Sequence, residues 1–260
     1  MRLISALIEH SFDRPPPMLK TLAASAGMSP AKAHRYMVSL IRSEMVERDE
    51  ASGRYRLGPM ARLLGLRAIQ SIDVVRLAGA RLPQICSEIG FSVALAIWAF
   101  EGPTIIAVEE ARRPITIGTR VGEVLPILHS ATGLVFGAWM PLAITEDVLR
   151  RDAANVRRGA SDAPVSKLSI SALFERVRKE GIGVTEGGLN PTINALSAPI
   201  FDHRGLLVAA LSTLGAANEL DVATDGPVAV RLRQLAADLS SELGYTPELM
   251  DNDNPPVVQN

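Results

Sequence analysis

The chain has 260 residues, of which 47% are apolar and 21% charged, with a formal net charge of −1. That is enough chain for one large domain or two small ones with proper cores, in a composition ordinary for a soluble globular protein. The lone cysteine, Cys86, excludes an intramolecular disulfide, and the longest apolar runs, such as GLLVAAL from Gly205, fall far short of the roughly 20 residues a membrane span needs.

A cytoplasmic location without membrane association is therefore expected. The N-terminal MRLISALIEHSFDR reads as an amphipathic helix and not as a signal peptide, because Glu9 interrupts its apolar stretch and no small-residue cleavage site follows. The small net charge hides an asymmetry. Residues 1–65 carry ten Arg or Lys and six Asp or Glu, whereas the rest carries seventeen and twenty-two. A mildly basic first quarter on an acidic body hints at a polyanion-binding module.

In chain order, Leu3, Ile4, Leu7 and Ile8 recur at helical spacing, and the RPPP at 14–17 ends that helix. MLKTLAASAG forms a short helix with Leu19, Leu22 and Ala23 inward and Gly27 at its end. A third helix opens on Ser29 as N-cap with Pro30 at its first position. Its apolar stripe is Ala33, Met37, Leu40 and Ile41. MVERDEASGRYRLG then gives two short strands around a Ser52–Gly53 turn, and PMARLLGLRAIQ a connecting helix. From Asp73 another striped helix runs to about Gly90. Strands follow in FSVALAIWAF, PTIIAVEE and PITIGT, then helices from about Ser130, Thr145 and Ile170. Strands return in IGVTE, NALSAPIFD and GLLVAALSTLG, the last two forming a hairpin with 203–205 as its loop. A final helix reaches Gly244, and the polar, Pro-containing end is expected to be disordered.

Helix, short helix, Gly-containing turn, capped helix and β-hairpin describe a winged helix-turn-helix. In that geometry the early outward residues of the second motif helix enter the major groove. The candidate DNA contacts are Ser29, Lys32, His34, Arg35 and Ser39 on the helix, with Arg54 and Arg56 on the wing. The same pattern fits a helical bundle with a solvated charged face, or a winged helix that binds protein.

LKTLAASAGMSPAKAHRYMVSLIRSEMVERDEASGRYRLGP resembles the DNA-binding domain of the IclR family of bacterial transcriptional regulators. The resemblance continues through RVGEVLPI, SATG, the Glu186–Asn190 loop and SAPIFDHRGLLVAALSTLG, so it spans nearly the whole chain. It departs at three points. Glu44 stands where the family has Gly in the turn before the wing, so that turn must close without the permissive residue. The first helix is short at its start. Leu134 replaces a Lys or Arg after the pocket glycine, which removes a positive charge and argues against a strongly acidic effector.

The resemblance implies an α+β protein in four parts. A winged helix-turn-helix spans 1–58, a linker helix 59–72, a GAF-like effector domain 73–245, and a tail 246–260. The effector domain is built on an antiparallel sheet flanked by helices. The expected effector contacts are Ser130, Ala131, Thr132, Gly133, Thr185, Asn190, Ile193, Asn194, Ala195 and Ser212, with Leu125 as apolar wall. Residue chemistry supports the place independently, because free N–H groups at a helix start near Ser130 suit an anion. Ser130 is equally a helix cap, and Ser212 equally a core hydroxyl. Arg112, Arg113 and Arg120 could attract an anion, although a solvated or dimer-face role suits each of them better.

An enzyme is not expected. His129 and Ser130 are consecutive, so on a helix start their side chains diverge by about 100°. There is no G-x-S-x-G elbow, phosphate-binding loop, H-E-x-x-H or C-x-x-C, and the four histidines are scattered. No cofactor or metal is expected, and His129 is placed beside the site, as a bystander or as a group that supports the lining from behind. The expected function is a DNA-binding regulator controlled by a small effector, most simply a carboxylic acid. It would bind a double-stranded operator as a homodimer or dimer of dimers. The alternatives are a winged-helix module for protein partners and, less favoured, a small-molecule hydrolase.

Overall fold

Leu3 and Leu7 bury one face of α1 (Arg2–Glu9) in the computed structural model, which describes residues 2–10, 15–70, 73–112, 119–156 and 167–246. The expected disordered tail, the PITIGT strand and Arg113 fall outside the described residues, apart from the tail's first residue and Thr119 at the strand's end. The chain divides into two units, Met1–Ile72 and Asp73–Asn260.

In the first unit, α1 packs with α2 (Leu19–Ser25) and α3 (Pro30–Arg42) around Leu22, Ala33 and Met37. Each large apolar side chain buried here contributes about 1.5–3 kcal/mol. The Ser29 hydroxyl accepts the Lys32 amide at 3.4 Å, and Pro30 starts the helix, so the capping expectation holds. Ile41 does not join the stripe. It is 36% exposed, because the packed line on α3 continues from Ala33 and Met37 to Leu40, and Ile41 lies about 100° further round the helix. The wing is the antiparallel pair β1 (Val46–Arg48) and β2 (Tyr55–Leu57). Glu44 closes the preceding turn at φ 57°, the one non-glycine with positive φ among the described residues. Gly58 is needed beside it, since a Cβ there would lie 2.1 Å from the Glu44 carbonyl oxygen. Helix α4 (Pro59–Gln70) follows, with Leu63, Leu64 and Leu66 about half exposed.

The second unit is built on a five-stranded antiparallel sheet of order β4-β3-β7-β6-β5. The strands are β3 (Ser92–Ala99), β4 (Gly102–Glu109), β5 (Gly183–Glu186), β6 (Ile193–Phe201) and β7 (Leu207–Ala216). Strand alternation assigns each side chain a face. Val93, Leu95, Leu196, Ala198, Ile200, Ala209 and Leu211 pack under α5 (Asp73–Ile89) and α9 (Pro227–Glu242). Ala94, Ala96, Ser197, Ala210 and Ser212 take the opposite face by the same alternation. There α6 (Ala131–Trp139) lies with Val135 and Phe136 against Ala96 and Ala210. Helices α7 (Leu142–Val156) and α8 (Lys167–Glu180) cover the outer side of α6 through Val148, Leu149, Phe174 and Val177. Residues 122–125 run along the outer edge of β4. The Ile105 amide donates to the Glu123 carbonyl at 2.9 Å, and the Leu125 amide to the Pro103 carbonyl at 2.7 Å.

Candidate functional site

A cavity of about 280 Å³ lies on the α6 side of the sheet. Two rows of the β-ladder form its floor: Ala94 and Ser212 are cross-strand neighbours in one, and Leu214, Ala195 and Thr185 in the next. Its walls are Ile105, Leu125 and Ile193, with Thr119 and Glu123 from the segment beside β4. The start of α6 and the 188–190 loop close it.

The α6 start is held from several sides. The Ser130 hydroxyl accepts the Gly133 amide at 2.9 Å and donates to the Pro126 carbonyl at 2.7 Å, so Ser130 is a helix cap that also lines the cavity. Geometry leaves the Ala131 and Thr132 amides without an intrahelical acceptor. Gly133 permits close packing on the loop below, as a Cβ there would meet the Pro126 oxygen at 2.1 Å. The buried Asp152 carboxylate accepts the Ile127 amide and ties that loop to α7. Burial pushes the Asp152 carboxyl above the ordinary aspartate range, against the pull of the Ile127 and Leu128 amides and nearby His129.

Three hydroxyls form a buried chain. Ser212 donates to Ser197 at 2.9 Å, and Thr132 Oγ1 lies 2.7 Å from Ser212 Oγ. With the Ser212 proton directed at Ser197, Thr132 supplies the proton to Ser212.

Eight of the expected effector residues line the cavity: Ser130, Ala131, Thr132, Thr185, Asn190, Ile193, Ala195 and Ser212. Asn190 also shapes its own turn, its side-chain oxygen accepting the Thr192 amide at 3.0 Å. Two do not line it. Gly133 acts through the close packing just described. Asn194 sits between Ile193 and Ala195 on a strand, so it points to the opposite face, where its amide donates to the Leu220 carbonyl at 3.1 Å. Leu134 also departs from expectation. One helical step carries it away from the cavity into the cluster with Ile127, Val148 and Phe174, so it packs against α7 and α8 and sets no ligand charge. His129, expected to be a bystander or to support the lining from behind, lines the cavity, and its Nε2 is buried with no hydrogen-bond partner. An unsatisfied buried polar atom costs about 1–3 kcal/mol. The only signal for it in the sequence was its position one residue before the α6 cap.

In the first unit, Ser29, Lys32, His34, Arg35 and Ser39 are exposed on α3 or at its cap. The two wing arginines are less available than expected. Arg54 is half-buried and donates to the Pro16 carbonyl at 2.5 Å, which fixes the chain entering α2. Arg56 remains exposed but lies 3.4 Å from the Glu47 carboxylate, which Arg62 also approaches at 3.3 Å. Among the described residues no group of three His, Cys, Asp or Glu could hold a metal, and no helix is long and apolar enough to cross a membrane.

A family model described as Bacterial transcriptional regulator IclR C-terminal matches residues 66–241, and one described as IclR helix-turn-helix domain matches 12–50. Among characterised relatives, the HTH-type transcriptional regulator XynR of Escherichia coli (strain K12) is 23% identical over 219 residues, covering 84% of this chain and 86% of that protein. The crystal structure of Pseudomonas aeruginosa HmgR is 35% identical, covers 95% of this chain and 96% of that one, and gives a TM-score of 0.62. The fold also matches an IclR homolog complexed with 4-hydroxybenzoate from Microbacterium hydrocarbonoxydans. That match has 20% identity, a TM-score of 0.74, and coverage of 93% of this chain and 98% of that one.

Proposed function

We propose a function from one premise: the chain belongs to the IclR family of bacterial transcriptional regulators. It is a transcriptional regulator of that type, with a helix-turn-helix DNA-binding domain. In our reading α3 enters the major groove of an operator, with Lys32, His34 and Arg35 foremost and Ser29, Ser39 and Arg56 at the phosphates. The cavity over β7 binds a small organic acid, its carboxylate held by the Ala131 and Thr132 amides.

One observation carries the effector reading: the cavity is concave, mostly apolar and edged by a few polar groups, which is the form of a small-molecule site. That a fold relative holds 4-hydroxybenzoate supports the same class of ligand. The half-exposed leucines of α4 support a homodimer, since an apolar helix face gains by being covered by a second copy. Such a dimer matches a pseudo-palindromic operator in the cytoplasm. Effector occupancy changes operator affinity only so far as it binds two arrangements of the protein unequally.

The test is a mobility-shift titration of the whole protein on its neighbouring promoter DNA, with and without small organic acids. Steep weakening with salt and a change in affinity on adding an acid are expected. A salt-insensitive response would point to a protein partner, and indifference to every acid would overturn the effector assignment.

A further inference from the structure

We propose that the cleft between the start of α1 and the flank of α3 seats one phosphate of the operator's backbone, with Arg2, Lys32 and Tyr36 as its contacts. This rests on reading α3 as the helix that enters the major groove.

The cleft has a volume of about 440 Å³ and lies wholly within the first unit. Arg2 and Leu3 of α1 line it together with Lys32, Tyr36 and Ser39 of α3 and the turn between α2 and α3. Helical spacing explains why three polar side chains of α3 meet there. Positions four and seven residues apart share a face, so Lys32, Tyr36 and Ser39 form one strip beside the buried Ala33–Met37 line. Round the helix, Lys32 lies between Tyr36, about 40° to one side, and Arg35, about 60° to the other. The strip therefore borders the side that carries Arg35. A helix seated in the major groove has a sugar–phosphate backbone along its flank, and here that flank is the cleft.

Chemistry selects the occupant. Among the described residues the lining holds two cations, a phenol and a hydroxyl, with no Asp or Glu. A phosphate accepts from all four of these groups. Tyr36 is 52% exposed, a large aromatic left open on α3. Its ring can lie on a deoxyribose while its hydroxyl donates to the phosphate. The cations are available as well. Among the described residues no carboxylate pairs with Arg2 or Lys32. On the wing, by contrast, Arg54 is committed to the Pro16 carbonyl, and Arg56 must give up Glu47 before it can meet a phosphate.

The experiment measures binding of the full chain to its neighbouring promoter DNA and to an unrelated duplex of equal length, over a series of salt concentrations. Arg2→Gln and Tyr36→Phe are compared with wild type, Arg2→Lys and Arg35→Ala. Arg2→Gln should weaken binding to both duplexes alike, by about three- to tenfold, and lower the salt dependence by about one phosphate contact per subunit. Arg2→Lys should keep most of the affinity, and Tyr36→Phe should weaken both duplexes about threefold. Arg35→Ala should instead weaken promoter DNA more than the unrelated duplex. Unchanged affinity and salt dependence in Arg2→Gln would overturn the cleft assignment, while a loss in Arg35→Ala alone would leave α3 as the groove helix. A loss in Arg2→Gln confined to promoter DNA would also overturn it, since a phosphate contact carries no sequence information. Wild type that binds neither duplex would overturn the DNA reading itself. Should Arg2→Gln lose its cooperative melt, Lys32→Gln and Tyr36→Phe decide by the same two readouts.

Discussion

Thr132 Oγ1 and Ser212 Oγ lie 2.7 Å apart, joining the first turn of α6 to the sheet's central strand across 80 residues of sequence. The contact is buried at both ends and continues to Ser197. Ser212→Ala removes the acceptor for Thr132 and the donor for Ser197. A loss of about 1–2 kcal/mol in unfolding free energy is expected. Thr132→Val added to it should cost less than the sum of the single changes, because both break the same chain. Both tryptophans, Trp98 and Trp139, belong to the second unit, so urea unfolding followed by their fluorescence reads this unit alone. Full additivity would show that the hydroxyls do not act together.

Gly133→Ala tests the packing of α6 on the loop beneath it. The added methyl would meet backbone atoms, the Pro126 oxygen at 2.1 Å and Ile127 Cα at 2.6 Å, so no side-chain rotation relieves it. A destabilisation of about 1–3 kcal/mol is expected by the same fluorescence measurement, with a weakened response to acids. An unchanged midpoint would mean the loop yields freely, and Asp152 does not hold it.

Arg35 and Arg54 should behave differently although both are basic residues of the DNA-binding unit. Arg35 is exposed on α3, and Arg35→Ala should weaken operator binding by about 1–3 kcal/mol with stability unchanged. Arg54 is tied to the Pro16 carbonyl, and Arg54→Ala should lower the melting temperature of the unit with less effect on affinity per folded molecule. Mobility shift and calorimetry on the same preparations separate the two. The reverse result would place the DNA contact on the wing.

What was legible in the sequence follows the range of the forces involved. Local rules located the helices, the hairpin and the Ser29 cap, because spacing and capping act within a few residues. The need for an unusual turn at Glu44 was legible too, and its φ of 57° meets it. What the sequence leaves open is direction within a neighbourhood. Ile193, Asn194 and Ala195 cannot share a face on a strand, and Leu134 turns away from Thr132 on a helix. The place of His129 is hidden in the sequence for another reason. The Leu125–Ser130 loop is irregular, and what directs its side chains is the distant carboxylate of Asp152 and the approach of Gly188, neither visible as periodicity.

Glu44→Gly should stabilise the first unit. A side chain at φ 57° costs about 1–2 kcal/mol, of which glycine returns part as unfolded-state entropy. A net gain of about 0.5–1 kcal/mol is expected, read as slower amide exchange in α3 and β1. Faster exchange would mean the Glu44 side chain contributes a contact larger than its backbone strain.

Asp202 supplies the pH dependence. Its Oδ1 accepts the Arg204 and Leu206 amides at 2.9 and 3.0 Å, and its Oδ2 accepts the Arg204 guanidinium. Partial burial pushes the carboxyl up, but the Leu206 amide and Arg204 outweigh it, so the carboxyl is held below the usual aspartate value of 3.8. A carboxyl depressed on folding contributes stability above its unfolded pKa, and that contribution disappears as pH falls through the folded value. Asp202→Ala should therefore cost about 1–2 kcal/mol at neutral pH, and the difference from wild type should shrink as pH falls below about 4. Tryptophan-monitored urea unfolding across pH 3–7 measures it. A difference constant down to pH 3 would mean that Asp202 holds the β6–β7 turn by shape alone, without its charge.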